Sequence, residues 1–126
     1  MKKKSKGRPS PSVRKELSFL EAVSRRCPED VETLKALGEL YTKLDLHEDC
    51  LQTDLALTRV CREEPLVWYN LACSFAVLQR KDEAFDALSR AIDLGYRDQS
   101  WLRRDKDLES IRGDQRFRVL LKRIGA

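Results

Sequence analysis

The stretch Trp68–Ile92, WYNLACSFAVLQRKDEAFDALSRAI, places three aromatics, an amide, a thiol and a serine hydroxyl within its first nine positions. Such a cluster reads either as reacting groups or as the buried seam of a helix, and spacing separates the two. Trp68, Leu71 and Phe75 recur at three and four residues, one stripe of an α-helix. After a polar break at Gln79 to Asp82, a second stripe follows in Ala84, Leu88, Ala91 and Ile92. A break that short admits only a tight antiparallel turn, so the stretch is a helical hairpin. Ala72, Ala84 and Ala91 are small because a neighbouring helix must come close there. Trp68 and Phe75 fill the remaining space, each burying on the order of 150–250 Å². The cluster is a packing seam.

Sliding the chain by 34 positions finds a second copy. Leu34 falls on Trp68, Leu37 on Leu71, Gly38 on Ala72 and Tyr41 on Phe75; further on, Cys50 falls on Ala84 and Leu57 on Ala91. The break in this copy lies at Asp45. A 34-residue helical hairpin with this order of large and small residues resembles the tetratricopeptide repeat. WYNLACSFAVLQRKDEAFDALSRAI carries the likeness closely, and LKALGELYTKLDLHEDCLQTDLAL carries it with Cys50, Asp54 and Asp45 standing where the family prefers alanine, a large apolar residue and a turn glycine. The resemblance implies an all-α fold: a right-handed α–α superhelix, or solenoid, of hairpins at residues 31–64 and 65–98.

Two hairpins leave two bare end faces, which arrays of this kind cover with capping elements. Residues 12–27 predict an N-terminal capping helix with Leu17, Leu20 and Val23 on one face, in register with the second helix of a repeat: Leu20 precedes Asp54 by 34 and Val23 precedes Leu57 by 34. Residues 99–126 lose the pattern, with Asp105 at the place of Leu71. They read as a degenerate repeat and C-terminal capping helix: a short turn at Trp101–Leu102, anchors at Leu108 and Ile111, and a helix capped by Asp114 that aligns Phe117, Leu120, Leu121 and Ile124. The phrase DLESIRGDQRF is similar to the closing repeat of small bacterial members of the family. Residues 12–126 are thus expected to form one domain, after a disordered basic tail at 1–11.

Charge is uneven. Residues 1–10 carry five basic groups and no acid, residues 11–96 carry eleven basic and sixteen acidic groups, and residues 97–126 carry nine and five. The net charge of +4 therefore comes from the ends, which disfavours nucleic acid as a partner. No apolar run reaches membrane-spanning length, and no apolar core follows the opening lysines, so no membrane role and a cytoplasmic location are expected. Cys27, Cys50, Cys61 and Cys73 lack the close pairing of a zinc site, and His47 is the sole histidine. The thiols are expected to pack as small hydrophobes. Without a phosphate loop, a nucleophile paired with histidine or a carboxylate pair in a plausible cleft, no catalytic residue and no cofactor is expected, and the chain reads as no enzyme.

Stacked hairpins present their first helices on a concave face. Lys35 and Glu39 lie on its polar wall in the first repeat. Leu66, Tyr69, Cys73 and Val77 are apolar at the corresponding places in the second, Asn70 faces the same groove, and Arg103 and Arg104 follow as a rim. The candidate site is therefore a partner-binding groove of Lys35, Glu39, Leu66, Tyr69, Asn70, Cys73, Val77, Arg103 and Arg104, fitted to a peptide or helix bearing a carboxylate. The opposing expectation is that the chain's own ends, or a second copy in a homodimer, cover these residues. Against the carboxylate clamp of tetratricopeptide co-chaperones, Lys35, Asn70 and Arg104 stand in place, while Glu39 and Ser100 depart from it. The expected function is a non-enzymatic adaptor or co-chaperone. The alternatives are a chaperone for a secreted substrate, or an RNA- or ribosome-associated protein acting through the tail and Arg112, Arg116, Arg118, Lys122 and Arg123.

Overall fold

The computed structural model describes residues 9–125, all of whose regular structure is helical. The chain divides into two compact units, Met1–Val60 and Cys61–Ala126, a boundary inside the region read from sequence as one domain. The first unit holds α1 (Pro11–Arg26), α2 (Val31–Lys43) and α3 (His47–Val60). The second holds α4 (Pro65–Val77), α5 (Lys81–Asp93), α6 (Gln99–Arg104), a 3-10 turn at Lys106–Leu108, α7 (Glu109–Arg112) and α8 (Gln115–Gly125). The tail expected at residues 1–11 lies mostly outside the described residues. Its last part is corrected: Ser10 caps α1 by accepting the Val13 N–H, and Pro11 is the first helical residue, a place where a missing N–H costs nothing.

The helix bounds recur at the period seen in the sequence. α4 begins and ends 34 residues after α2, and α5 begins 34 after α3. The turns closing α2 and α4 are also built alike. In the first, Leu46 N–H bonds to Tyr41 C=O and Asp45 N–H to Thr42 C=O; in the second, Arg80 N–H bonds to Phe75 C=O and Gln79 N–H to Ala76 C=O. These paired bonds satisfy the last helical carbonyls, but require a left-handed residue just past the helix. Asp45 and Gln79 take that conformation, at φ 56° and 63°. Gly95 does so after α5 at φ 117°, where a glycine costs nothing. The missing turn glycine at Asp45 has not loosened its hairpin.

In the first unit α2 packs against α3 and α1 lies along α2. Leu37, Tyr41 and Cys50 form a cluster on which Leu17 and Leu20 of α1 rest. The Tyr41 hydroxyl donates to Glu21 Oε2 at 2.6 Å, fixing α1 by one polar bond in addition to its apolar face. In the second unit α4 pairs with α5, and Ala72, Ala84 and Ala91 are wholly buried, as a close helix contact demands. Phe75 is interior, whereas Trp68 is half-buried, donating through Nε1 to Arg62 C=O. α8 packs on α5 through Phe117, Leu120 and Leu121, and its Arg116 pairs with Asp82 and Asp114 while lying 4.3 Å over the Phe85 ring. Arg116 beside Asp114 holds that carboxyl down at about 2.

Two sequence expectations change. The cysteines are all thiols, but only Cys50 and Cys73 are buried; Cys27 is exposed and Cys61 half-exposed, because both follow the ends of helices rather than lying within them. Gly38, aligned with Ala72 and so expected at a close helix contact, is less crowded than that, since a Cβ there would meet the Thr53 methyl at 3.8 Å, an ordinary contact. Gly38→Ala should therefore raise stability by roughly 0.5–1 kcal/mol through helix propensity, and Gly38→Leu should lower it by overpacking. Gln79→Gly should add about 1 kcal/mol by relieving the left-handed cost of a side chain. Denaturant midpoints of the three variants check these signs.

Candidate functional site

The expected groove stripe of α4 runs Leu66, Tyr69, Asn70, Cys73 and Val77, and its two ends differ. Leu66 is 62% exposed and Asn70 is exposed, while Tyr69 and Cys73 are 4% and 8% exposed. Val77 is half-buried beside a hollow of about 370 Å³ bordered by Ala76, Gln79 and residues of the 106–110 segment. The expectation that Tyr69 and Cys73 line an open groove is thus corrected. The chain's own closing segment covers them.

What holds that segment is Asp105, a buried carboxylate at the end of α6. Its Oδ1 accepts the Asp107 N–H at 3.0 Å and so caps the 3-10 turn; its Oδ2 accepts the Tyr69 hydroxyl and, at 3.7 Å, the Cys73 thiol. Its carbonyl accepts from Arg112 Nη2. Tyr69 is stacked on Tyr96 with ring centroids 4.6 Å apart and planes 11° from parallel. One further bond, Ser110 Oγ to Ala76 C=O at 2.8 Å, fastens α7 to α4. Between these polar ties Leu108 and Ile111 are completely buried. Each such side chain contributes on the order of 1.5–3 kcal/mol, so the segment is core rather than a lid.

The electrostatics follow from burial. It pushes the Tyr69 phenol and the Cys73 thiol well up, with the Asp105 charge adding to both, and raises Tyr96 to about 12. Cys73, Asp105 and Asp107 bring possible metal-ligand atoms within 4.8 Å of one another. Both oxygens of Asp105 are already occupied by donors, however, and the thiol keeps its proton, so the chemistry of the cluster is that of a hydrogen-bonded latch. Among the described residues the Tyr96 hydroxyl and Arg112 Nε are buried there without a hydrogen-bond partner, an exception to the usual pairing of buried polar groups.

The remaining predicted residues make none of the latch's hydrogen bonds. Lys35 and Glu39 are exposed on α2, in the first unit. Arg103 and Arg104 are exposed on α6, where Arg104 lies 5.2 Å over the ring of Trp101, itself 42% exposed. Asp105, Tyr96 and Arg112 were missing from the sequence-based site. The available signal was Asp105 itself, a carboxylate at the repeat position of the core residue Leu71.

No family model matches the chain. It is similar to a curated chloroplastic protein of Arabidopsis thaliana, with 36% identity over 90 residues that make up 69% of this chain and 27% of that protein. The chain thus spans about a quarter of the length of the curated relative it matches.

Tyr69→Phe should cost about 1.5–3 kcal/mol at neutral pH, because Asp105 loses a donor to its charge. The groups around the latch fold as protonated forms, so their contribution is whole below the ordinary thiol value of 9.0 and is lost as pH rises past 10.0, the ordinary phenol value, towards about 12 for Tyr96. Denaturant midpoints measured from pH 7 upwards should fall on the alkaline side, less steeply in Tyr69→Phe.

Proposed function

We propose that the protein is a non-enzymatic interaction module of the tetratricopeptide type, an adaptor or co-chaperone that docks a segment of a partner protein. In this reading the hairpins α2–α3 and α4–α5 stack as a right-handed superhelical array, with α1 at one end and α6–α8 closing the other. The recurrence of helix bounds and of left-handed turn residues at 34-residue spacing supports the repeat.

The observation that carries a binding role is Leu66, 62% exposed one turn before an exposed Asn70 on a helix whose other large apolar residues are buried or half-buried. A leucine left in water at the open end of a stripe otherwise sealed by Asp105, Leu108 and Ile111 is an anchor point for a partner. The exposed Arg103, Arg104 and Trp101 supply charge and aromatic surface for an acidic, partly apolar segment.

Burial of Tyr69 and Cys73 weighs against a secretion chaperone that would cradle an apolar peptide on them. The RNA alternative loses Arg112, Arg116 and Arg123 to internal bonds, leaving Arg118 and Lys122 of the five closing basic groups. For location, no helix among the described residues is long and apolar enough to cross a membrane. The cytoplasm suits four thiols without a disulfide. A chloroplast compartment is the second reading, carried by the word "chloroplastic" in the relative's name, and fractionation of the source cells decides between the two.

Leu66→Asp with Asn70→Lys should leave the melting temperature unchanged, because both side chains are exposed, and should abolish capture of the partner from the source lysate. Arg118→Glu should keep it. Equal capture by the double variant would place binding elsewhere.

A further inference from the structure

Aligning α1 with α3 and α5 at the 34-residue spacing puts Phe19 on Thr53 and Ala87. Thr53 and Ala87 are 6% and 4% exposed. The Thr53 methyl is what a Cβ added at Gly38 on α2 would meet, at 3.8 Å, so this is where the second helix of a hairpin receives the first. At the same place on α1, Phe19 is 67% exposed. Val23, in register with the buried Leu57 and Ala91, is only half-covered. The opposite face of α1 is already in use, with Leu17 and Leu20 on α2 and Glu21 bonded to Tyr41. By the same register, a first helix for α1 would end at residue 9, where residues 1–8 offer Met1 as their sole large apolar side chain.

The geometry points to a docking site in trans: the Phe19 face of α1 receives an amphipathic helix of an acidic partner protein, antiparallel to α1. That helix completes the hairpin which α1 only half supplies. Three features define it. Opposite Phe19 it carries a small residue, as Gly38 stands opposite Thr53, because a phenylalanine fills more of the gap than a threonine. Its first turn is acidic, since in an antiparallel pair it lies beside the exposed Arg25 and Arg26 at the end of α1. Carboxylates there answer both the arginines and the helix's own positive end. At the other end of the face exposed Lys15 and Glu16 offset one another, so the basic end is that of Arg25 and Arg26. Charge argues against a second copy docking through α8, whose exposed Val119 is flanked by Arg118 and Lys122: like would meet like. This inference rests on the hairpin register of the proposed function but not on the Leu66 surface.

The probe is a lactam-stapled, fluorescein-labelled peptide with the sequence of residues 31–43, which places Glu32 in the first turn and Gly38 at the notch. Titrated with the full chain, it should give a saturable rise in anisotropy. Phe19→Glu should weaken binding about tenfold or more, as should Arg25→Glu with Arg26→Glu, and Leu66→Asp should leave it unchanged. Absence of saturable binding, or equal affinity for Phe19→Glu, overturns the proposal. A concentration-dependent dimer in light scattering that Phe19→Glu disrupts also overturns it, in favour of self-association. Loss of melting temperature in Phe19→Glu would overturn it as well, because it would show the ring to be packed.

Discussion

A carboxylate buried among phenols and a thiol dictates how the second unit is finished. Asp105 would be intolerable beneath α4 without donors for both oxygens, and the fold supplies them from three directions: the Asp107 N–H, the Tyr69 hydroxyl and the Cys73 thiol. Satisfying that group fixes the start of the 3-10 turn. The turn then delivers Leu108, and α7 delivers Ile111, onto the face of α4 that would otherwise be open. One charge thus selects both the path of the closing segment and the part of α4 left exposed. A path that left this carboxylate half-satisfied would bear the cost of an unpaired buried charge.

The hairpins were legible in the sequence because their signal is periodic. Leu34, Leu37 and Tyr41, then Trp68, Leu71 and Phe75, announce helices by spacing alone, and the alanines announce which contacts are close. The end helices were legible for the same reason, through Leu17 and Leu20 in α1 and Phe117, Leu120 and Leu121 in α8. The groove was not, since exposure is a property of what arrives from elsewhere in the chain. Tyr69 and Cys73 look apolar and outward on α4 considered alone, and only the path taken after Arg104 buries them. The rules that place a residue on a stripe carry no information about a cover 32 to 36 residues later.

The turns make a related point about side-chain identity. Asp45 and Gln79 adopt a conformation that favours glycine, yet their hairpins close with the same paired carbonyl bonds as the turn at Gly95. Tertiary packing of α2 on α3 and of α4 on α5 outweighs the local preference, as it does for most helices in water.

Both tryptophans of the chain, Trp68 and Trp101, fall in the unit Cys61–Ala126. Indole emission is therefore blind to residues 1–60, while far-ultraviolet dichroism sums helices from both units. Trp68 is half-covered with its N–H bonded to a carbonyl, and Trp101 stands in water under an arginine, so even within one unit the two chromophores differ in quenching. The protein carries its own pair of reporters, one signal for half the molecule and one for the whole, and any lag between them measures how far the halves unfold as one.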